Sequence, residues 1–457
     1  MKFKTINPAT EEVNAEYELM TKKEVTEIVN KCHTAFLNWR RLSIQQRIEY
    51  FRLLAAVLRD NLLKYAGLIS VEMGKPIKEA KAEIEKCAWT AEVYADNAED
   101  WLTEETVDAD GKEHKVIYQP LGVILSIMPW NFPFWQALRF AIPTMIAGNV
   151  TILKHSNNVP ECSLAIESAF DIAGFPENVF RSVLADHKTI TEVMASDLIS
   201  GVSFTGSTEA GAKVAEQAGK NLKKFVLELG GSDPFIVLED ADIDVAAKNA
   251  VLGRTISNGQ SCIAAKRFIV VRDVAEQFTR KFVDLMSGLT VGDPFDENTD
   301  IGPIVNEEAL KKLEAQVNDA LSKGATIETG GKRIGKKGYF YAPTVLSDTT
   351  RDMKVVTEEV FAPAAPIIVV KDEAEAIEFA NSTEFGLGGS VWTSDLERGE
   401  RIARDIESGT VFVNNITKSD PRMPFGGVKK SGIGRELSKF GLKEFVNIKG
   451  INIYDQH

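Results

Sequence analysis

Long apolar runs, clustered cysteines, paired metal-ligand spacings and excess positive charge are all missing from this chain of 457 residues, and each absence closes off a class of function. Only Cys32, Cys87, Cys162 and Cys262 occur, far apart and with no C-x-x-C spacing. That pattern supports neither a disulfide framework nor a zinc site, and it fits a reducing compartment. The most apolar stretches, such as GVILSIMPW, are too short and interrupted to cross a bilayer, and the start MKFKTINPATEEV has no apolar h-region. A soluble, cytoplasmic protein is the expectation. Histidines at 33, 114, 155, 187 and 457 form no i, i+4 pair with a carboxylate motif, so no metal is expected. A net charge of -13 argues against nucleic acid and anionic membrane as partners and leaves small molecules.

What is present is an ordinary globular composition, 44% hydrophobic and 26% charged, in a chain long enough for two or three domains. From about Lys22 to Leu102, apolar residues recur at three- and four-residue spacing, which predicts long amphipathic helices. TVDADGKEHKVIYQPLGV carries an Asp-Gly turn between β-prone flanks and reads as a hairpin. From Gly122 onward, short β-rich runs (GVILSIM, VTILKHS, VFRSVLA, ISGVSFTG) alternate with helical segments. A second alternating set (FIVL, KRFIVV, APIIVV, GGSVWT, GTVFVN) follows a junction near Leu227 to Gly231. Alternation of this kind means parallel strands with crossover helices, so the fold class is α/β with two such domains. The tail FVNIKGINIYDQH reads as one more strand.

Chemistry is concentrated in two short segments. Cys262 lies in NGQSC and Glu228 in LELGG. A thiol attacks as thiolate, and a neighbouring carboxylate can take a proton from it or from water, so the pair suggests covalent catalysis on a carbonyl. In isolation, a cysteine is more often a small buried hydrophobe and a glutamate a solvated charge. Gly206 and Gly211 in FTGSTEAG sit where a strand meets a helix, a place where backbone amides can approach a pyrophosphate, although a tight turn explains them equally.

Taken in order, PWNFPFW, VTILKHS, FTGSTEAG, LELGG, NGQSC, EEVFAP and PFGGVKKSGIGRE resemble the NAD(P)-dependent aldehyde dehydrogenase superfamily across essentially the whole chain. LELGGSDPFIVLEDADID, Arg139 and SDPRMPFGG are more narrowly similar to prokaryotic succinate-semialdehyde dehydrogenases. The resemblance implies a Rossmann-type cofactor domain (1–103 and 122–227), an α/β catalytic domain (228–435), and a small β oligomerisation element (104–121 and 436–457) that makes a homodimer or homotetramer. It also implies that Cys262 attacks the aldehyde, that Glu228 activates the hydrolytic water, and that Asn131 with the Cys262 backbone N–H holds the oxyanion.

For the cofactor, NADP or NAD, the same resemblance points to Lys154 on the adenosine ribose and Ser207 on the pyrophosphate. Glu359 would hold the nicotinamide ribose and Phe361 would lie beside the nicotinamide, while Ile127, Met128, Pro129, Trp130, Gly206 and Leu229 line the cleft. Many NAD-preferring relatives carry a glutamate three residues after the lysine, where this chain has Asn157. Without that carboxylate a 2′-phosphate is not repelled, and Lys154 and Ser156 offer donors, so NADP is expected to be accepted and preferred. Ala362, where glycine is commoner, has no interpretation. Substrate choice is expected to rest on Arg139, four residues after Trp135 on a helix, with Ser419 as a second contact for a distal carboxylate. The competing reading of Arg139 is an arginine paired with an internal acid. Neutral aldehydes such as lactaldehyde are the alternative substrates.

Overall fold

The computed structural model describes residues 2–455, so His457 and, with it, Gln456 at the end of the expected tail lie outside the described residues. Two sheets of mainly parallel strands carry the chain. The first runs in the order Gly432–Ile433, Lys224–Glu228, Ile199–Thr205, Val123–Met128, Val150–His155, Phe180–Ser182, with only Gly432–Ile433 antiparallel. Val123–Met128 and Val150–His155 are buried at every position, as parallel strands covered on both faces must be. The amphipathic amino-terminal region forms four helices, Lys22–Trp39, Ile44–Asp60, Leu62–Met73 and Ile77–Trp101. Capping boxes at Thr21/Glu24 and Ser43/Gln46 start the first two.

The second sheet runs Thr326–Thr329, Thr344–Ser347, Ala364–Val370, Ala265–Val271, Asp233–Val237, Ser390–Trp392, Phe412–Val413, parallel except for its first pair. The chain passes between the sheets through Leu229 to Ser232, and that crossing places LELGG at the carboxyl end of a strand facing both halves. A third sheet is antiparallel: Val446–Ile453 pairs along its whole length with Glu113–Pro120, which also pairs with Glu105–Thr106. The Asp110-Gly111 turn joins the last two strands.

The carboxyl-terminal segment differs from the expected division. Gly432 and Ile433 pair with Glu228 and Leu227, and Leu437, Leu442 and Phe445 join the core of the first sheet before the final strand leaves it. Sequence 436–445 is therefore part of the first core, because its apolar residues are buried there and not beside the hairpin. An amino-terminal pair of strands, Lys2–Ile6 and Val13–Glu18, and the helix Glu307–Ser322 were also not anticipated.

Candidate active site

Cys262 follows a loop with three successive residues in left-handed conformation, Ser257 (φ 53), Asn258 (φ 58) and Gly259 (φ 74). Such a run persists only where its surroundings over-determine it. Asn258 Nδ2 donates to the carbonyls of Gly74 (2.9 Å) and Pro303 (3.0 Å), and its side-chain oxygen accepts from the Gly302 N–H (2.7 Å). The Ser257 N–H donates to the Glu79 carboxylate at 2.7 Å, and Arg254 donates to the Gly259 carbonyl at 2.7 Å. A Cβ at Gly259 would lie 2.5 Å from the Ala362 carbonyl carbon, so glycine is required. Asn131 Nδ2 donates to the Gln260 carbonyl at 3.0 Å, and Lys266 Nζ donates to the carbonyls of Ser261 (3.0 Å) and Cys262 (2.6 Å). The asparagine and glycine of NGQSC thus shape the loop that presents the thiol.

A cavity of about 360 Å³ opens onto that thiol, and Cys262, Trp135, Arg139 and Ser419 all line it, together with Lys86, Phe132 and Phe425. Glu83 accepts from the Phe134 N–H (2.9 Å) and the Trp135 N–H (3.0 Å) and is ion-paired with Lys75. It caps the helix Pro133–Ile146, whose first N–H groups have no partners inside the helix. Trp135 and Arg139 are thereby fixed one turn apart.

Arg139 is not a free cation. Its guanidinium is ion-paired with Glu436, both side chains are buried, and its plane lies over the Phe425 ring at 4.7 Å. Glu436 arrives by a backbone pair with Phe425, N–H to carbonyl at 2.8 and 2.7 Å. A buried guanidinium needs such a counter-charge. Arg139 remains a wall of the cavity with its charge already matched.

Neither Glu228 nor Asn131 lines this cavity. Glu228 ends the strand Lys224–Glu228 with both carboxylate oxygens buried and without hydrogen bonds. Burial, and then the Glu436 charge, hold its carboxyl well above the usual carboxylate range, against the opposing pull of Arg139 and Arg435. Gly426 (φ 150) gives it room: a Cβ there would lie 2.7 Å from Glu228 Oε1. Burial also pushes the Cys262 thiol up to about 12, partly offset by Arg139 and Lys266. Both groups are thereby held toward their protonated forms.

A second cavity, of about 440 Å³, lies at the carboxyl ends of the first sheet's strands and contains Ile127, Lys154 and Ser207 beside His187 and Lys213. Open α/β sheets bind nucleotides at this edge. Ser207 caps the helix Thr208–Lys220, accepting from the Ala210 N–H at 3.3 Å. Burial brings Lys154 down to about 8. Asn157 is exposed, whereas the Ser156 hydroxyl is spent on Asn158 at 3.0 Å. The Met128 carbonyl accepts from the Ser156 N–H (2.9 Å), and the Gly206 N–H donates to the Glu228 carbonyl (3.0 Å). Gly211, lacking a side chain, lets its helix close on Leu229. Farther along the cleft, Trp130 packs edge-on against Phe361 at 5.8 Å, next to Pro129. Glu359 accepts from the Gly231 N–H at 3.0 Å, and a Cβ at Gly230 would lie 2.7 Å from Glu359 Oε2. A side-chain-free backbone facing a carboxylate, with a buried lysine and a helix amino terminus farther along, fits a dinucleotide.

Residues 1–451 match the aldehyde dehydrogenase family. The chain belongs to that family. It is 47% identical over 451 residues to a probable NADP(+) succinate-semialdehyde dehydrogenase of Synechocystis sp., covering 99% of each chain. It is 45% identical over 454 residues to an NADP(+) succinate-semialdehyde dehydrogenase of Mycobacterium bovis, again covering 99% of each. Among solved structures, the succinic semialdehyde dehydrogenase of Streptococcus pyogenes in complex with NADP+ superposes with a TM-score of 0.97 at 36% identity, over 99% of this chain and 100% of that one. Against this aldehyde dehydrogenase fold, the motif reading passed over Lys86, Lys266 and Glu436. Lys266, which clamps the loop before and after Cys262 and lies 3.5 Å from Glu359, had one available signal, a Lys-Arg pair opening an otherwise apolar strand run, KRFIVV.

Proposed function

We infer that this aldehyde dehydrogenase oxidises succinate semialdehyde, or a similarly short aldehyde with a distal carboxylate, to the acid with NADP+ as acceptor. One observation carries the reading: the Cys262 thiol opens onto a largely apolar cavity whose polar lining includes Lys86, Arg139 and Ser419. Both ends of a semialdehyde find a partner there. The relatives named for that substrate and cofactor, alike over nearly the whole chain, support it.

In the reaction, Cys262 loses its proton and adds to the aldehyde carbon as a thiohemiacetal. The oxyanion that forms is held by the second N–H of the Asn131 amide, whose first is engaged by Gln260, and by the Cys262 backbone N–H. NADP+, when bound, accepts the hydride. The thioester left on Cys262 is hydrolysed by water from which Glu228 removes a proton, and this step requires the buried carboxyl to ionise first. Lys154 and Ser207 would hold the adenosine ribose and pyrophosphate, and Glu359 with Phe361 the nicotinamide end. With Asn157 exposed where a carboxylate would repel phosphate, NADP+ is favoured over NAD+. The exposed Val446–Ile453 strand is the surface through which copies assemble, and the four free cysteines suit a reducing cytoplasm.

Purified enzyme given succinate semialdehyde and NADP+, without coenzyme A or phosphate, should form succinate and NADPH in equal amounts. A strict requirement for either co-substrate would make it an acyl-transfer enzyme instead, and a higher kcat/KM with NAD+ would overturn the cofactor assignment.

A further inference from the structure

Lys86 stands on the helix Ile77–Trp101, on the face that also carries Glu79 and Glu83, at spacings of four and three residues. Those two carboxylates are committed: Glu79 holds the Ser257 N–H and Glu83 caps the Trp135 helix. Lys86 instead reaches into the cavity, where Nζ donates to Ser419 Oγ at 2.7 Å and sits 4.3 Å from the centre of the Trp135 ring. Among the described residues, no carboxylate lies within 4.0 Å of that ammonium. The neighbouring cations are otherwise engaged, Arg139 with Glu436, Lys75 with Glu83 and Lys266 with Glu359, while Lys418 at the rim is exposed.

We propose that Lys86 and Ser419 form the clamp for the distal carboxylate of the aldehyde, with Arg139 as the positioning wall behind it. The clamp rests on the substrate reading given above and names the groups that enforce it. An ammonium has three N–H donors, and the bond to Ser419 uses one. Because Ser419 Oγ accepts from Lys86, its own O–H is free to donate. The pair therefore offers two parallel donors, one charged, matched to the two oxygens of a carboxylate. Burial, and then the Arg139 charge, bring Lys86 down to about 8 against a partial offset from Asp420 and Glu83, and an arriving carboxylate supplies a direct counter-ion.

The test compares kcat/KM for succinate semialdehyde and for butanal, at saturating NADP+, in wild type, Lys86→Met, Lys86→Arg and Ser419→Ala, with thermal unfolding of each. Methionine keeps the stem that packs on Trp135 and removes the charge. The acid-to-neutral ratio is expected to fall on the order of 10²-fold in Lys86→Met, chiefly through KM. It should recover in part in Lys86→Arg and fall several-fold in Ser419→Ala. A wild-type ratio near one would overturn the substrate reading and the clamp together. A high wild-type ratio unchanged in Lys86→Met, or, should that variant not fold, unchanged in Ser419→Ala, would overturn the clamp alone and leave the substrate reading standing.

Discussion

In the proposed mechanism Asn131 serves both the loop and the chemistry. One amide hydrogen is fixed by the Gln260 carbonyl, and the other is the one proposed to meet the substrate oxygen, without any charge that would oppose hydride departure. Asn131→Ala should lower kcat about 10²–10³-fold in steady-state assays. Undiminished turnover would remove the residue from the mechanism. His155 gives a prediction about stability. Its Nε2 lies 2.8 Å from the Pro133 carbonyl, and burial depresses its pKa to about 4. The unfolded chain takes up that proton at about 6.5, so His155 contributes stability above that pH and loses it as the pH falls toward 4. The contribution is roughly 3 kcal/mol at pH 7. Urea unfolding from pH 7 to 4.5 should show a decline that is shallower in His155→Gln. Parallel slopes would mean that His155 takes up its proton in the folded state as readily as in the unfolded chain. At this scale the sequence was legible in the motifs that mark the family, such as NGQSC, and illegible where a residue's meaning depends on a distant partner. Arg139 reads as a substrate cation until Glu436, far along the chain, is brought against it.

Among elements, the helix Pro133–Ile146 and the nucleophile loop are both secured by the helix Ile77–Trp101, through Glu83 and Glu79. Truncating one partner of a buried ion pair costs about 3–5 kcal/mol. Glu83→Ala, which leaves Lys75 unpaired and the Pro133–Ile146 helix uncapped, should therefore lower stability by about that amount in denaturant titrations. Activity should fall with it, because Trp135 and Asn131 both adjoin that helix start. A loss below 1 kcal/mol would contradict the capping role. Gly426→Ala tests the space around the base. The added Cβ collides with Glu228 Oε1, so thioester hydrolysis should slow while the first burst of NADPH persists in stopped-flow traces. Loss of the burst itself would place the damage earlier. Helices such as Lys22–Trp39 followed from apolar periodicity, and strands such as Val123–Met128 from short β-rich runs. The left-handed run at Ser257 to Gly259 has no periodicity to read, since it is held by contacts from Gly74, Pro303 and Ala362.

Across the whole molecule, the crossing at Leu229 to Ser232 sets the sheet that shapes the nucleotide cleft beside the sheet whose preceding helix and loop deliver Cys262. Alternation of β-rich and helical segments was enough to foresee an α/β fold built on parallel sheets. It could not foresee that the chain returns at Gly432–Ile433 to pair beside Glu228, because a two-residue strand has too little pattern to register. That return carries Glu436 to Arg139 and so leaves Lys86 as the cavity's partly buried, unmatched cation. The account stands on one functional claim, that this architecture oxidises aldehydes bearing a second, acidic end. It is tested most directly by kcat/KM of the wild-type enzyme for succinate semialdehyde relative to butanal, followed as NADPH formation. A preference for the acid-bearing aldehyde of about 10²-fold or more is expected, whereas equal efficiencies, or a preference for butanal, would contradict it.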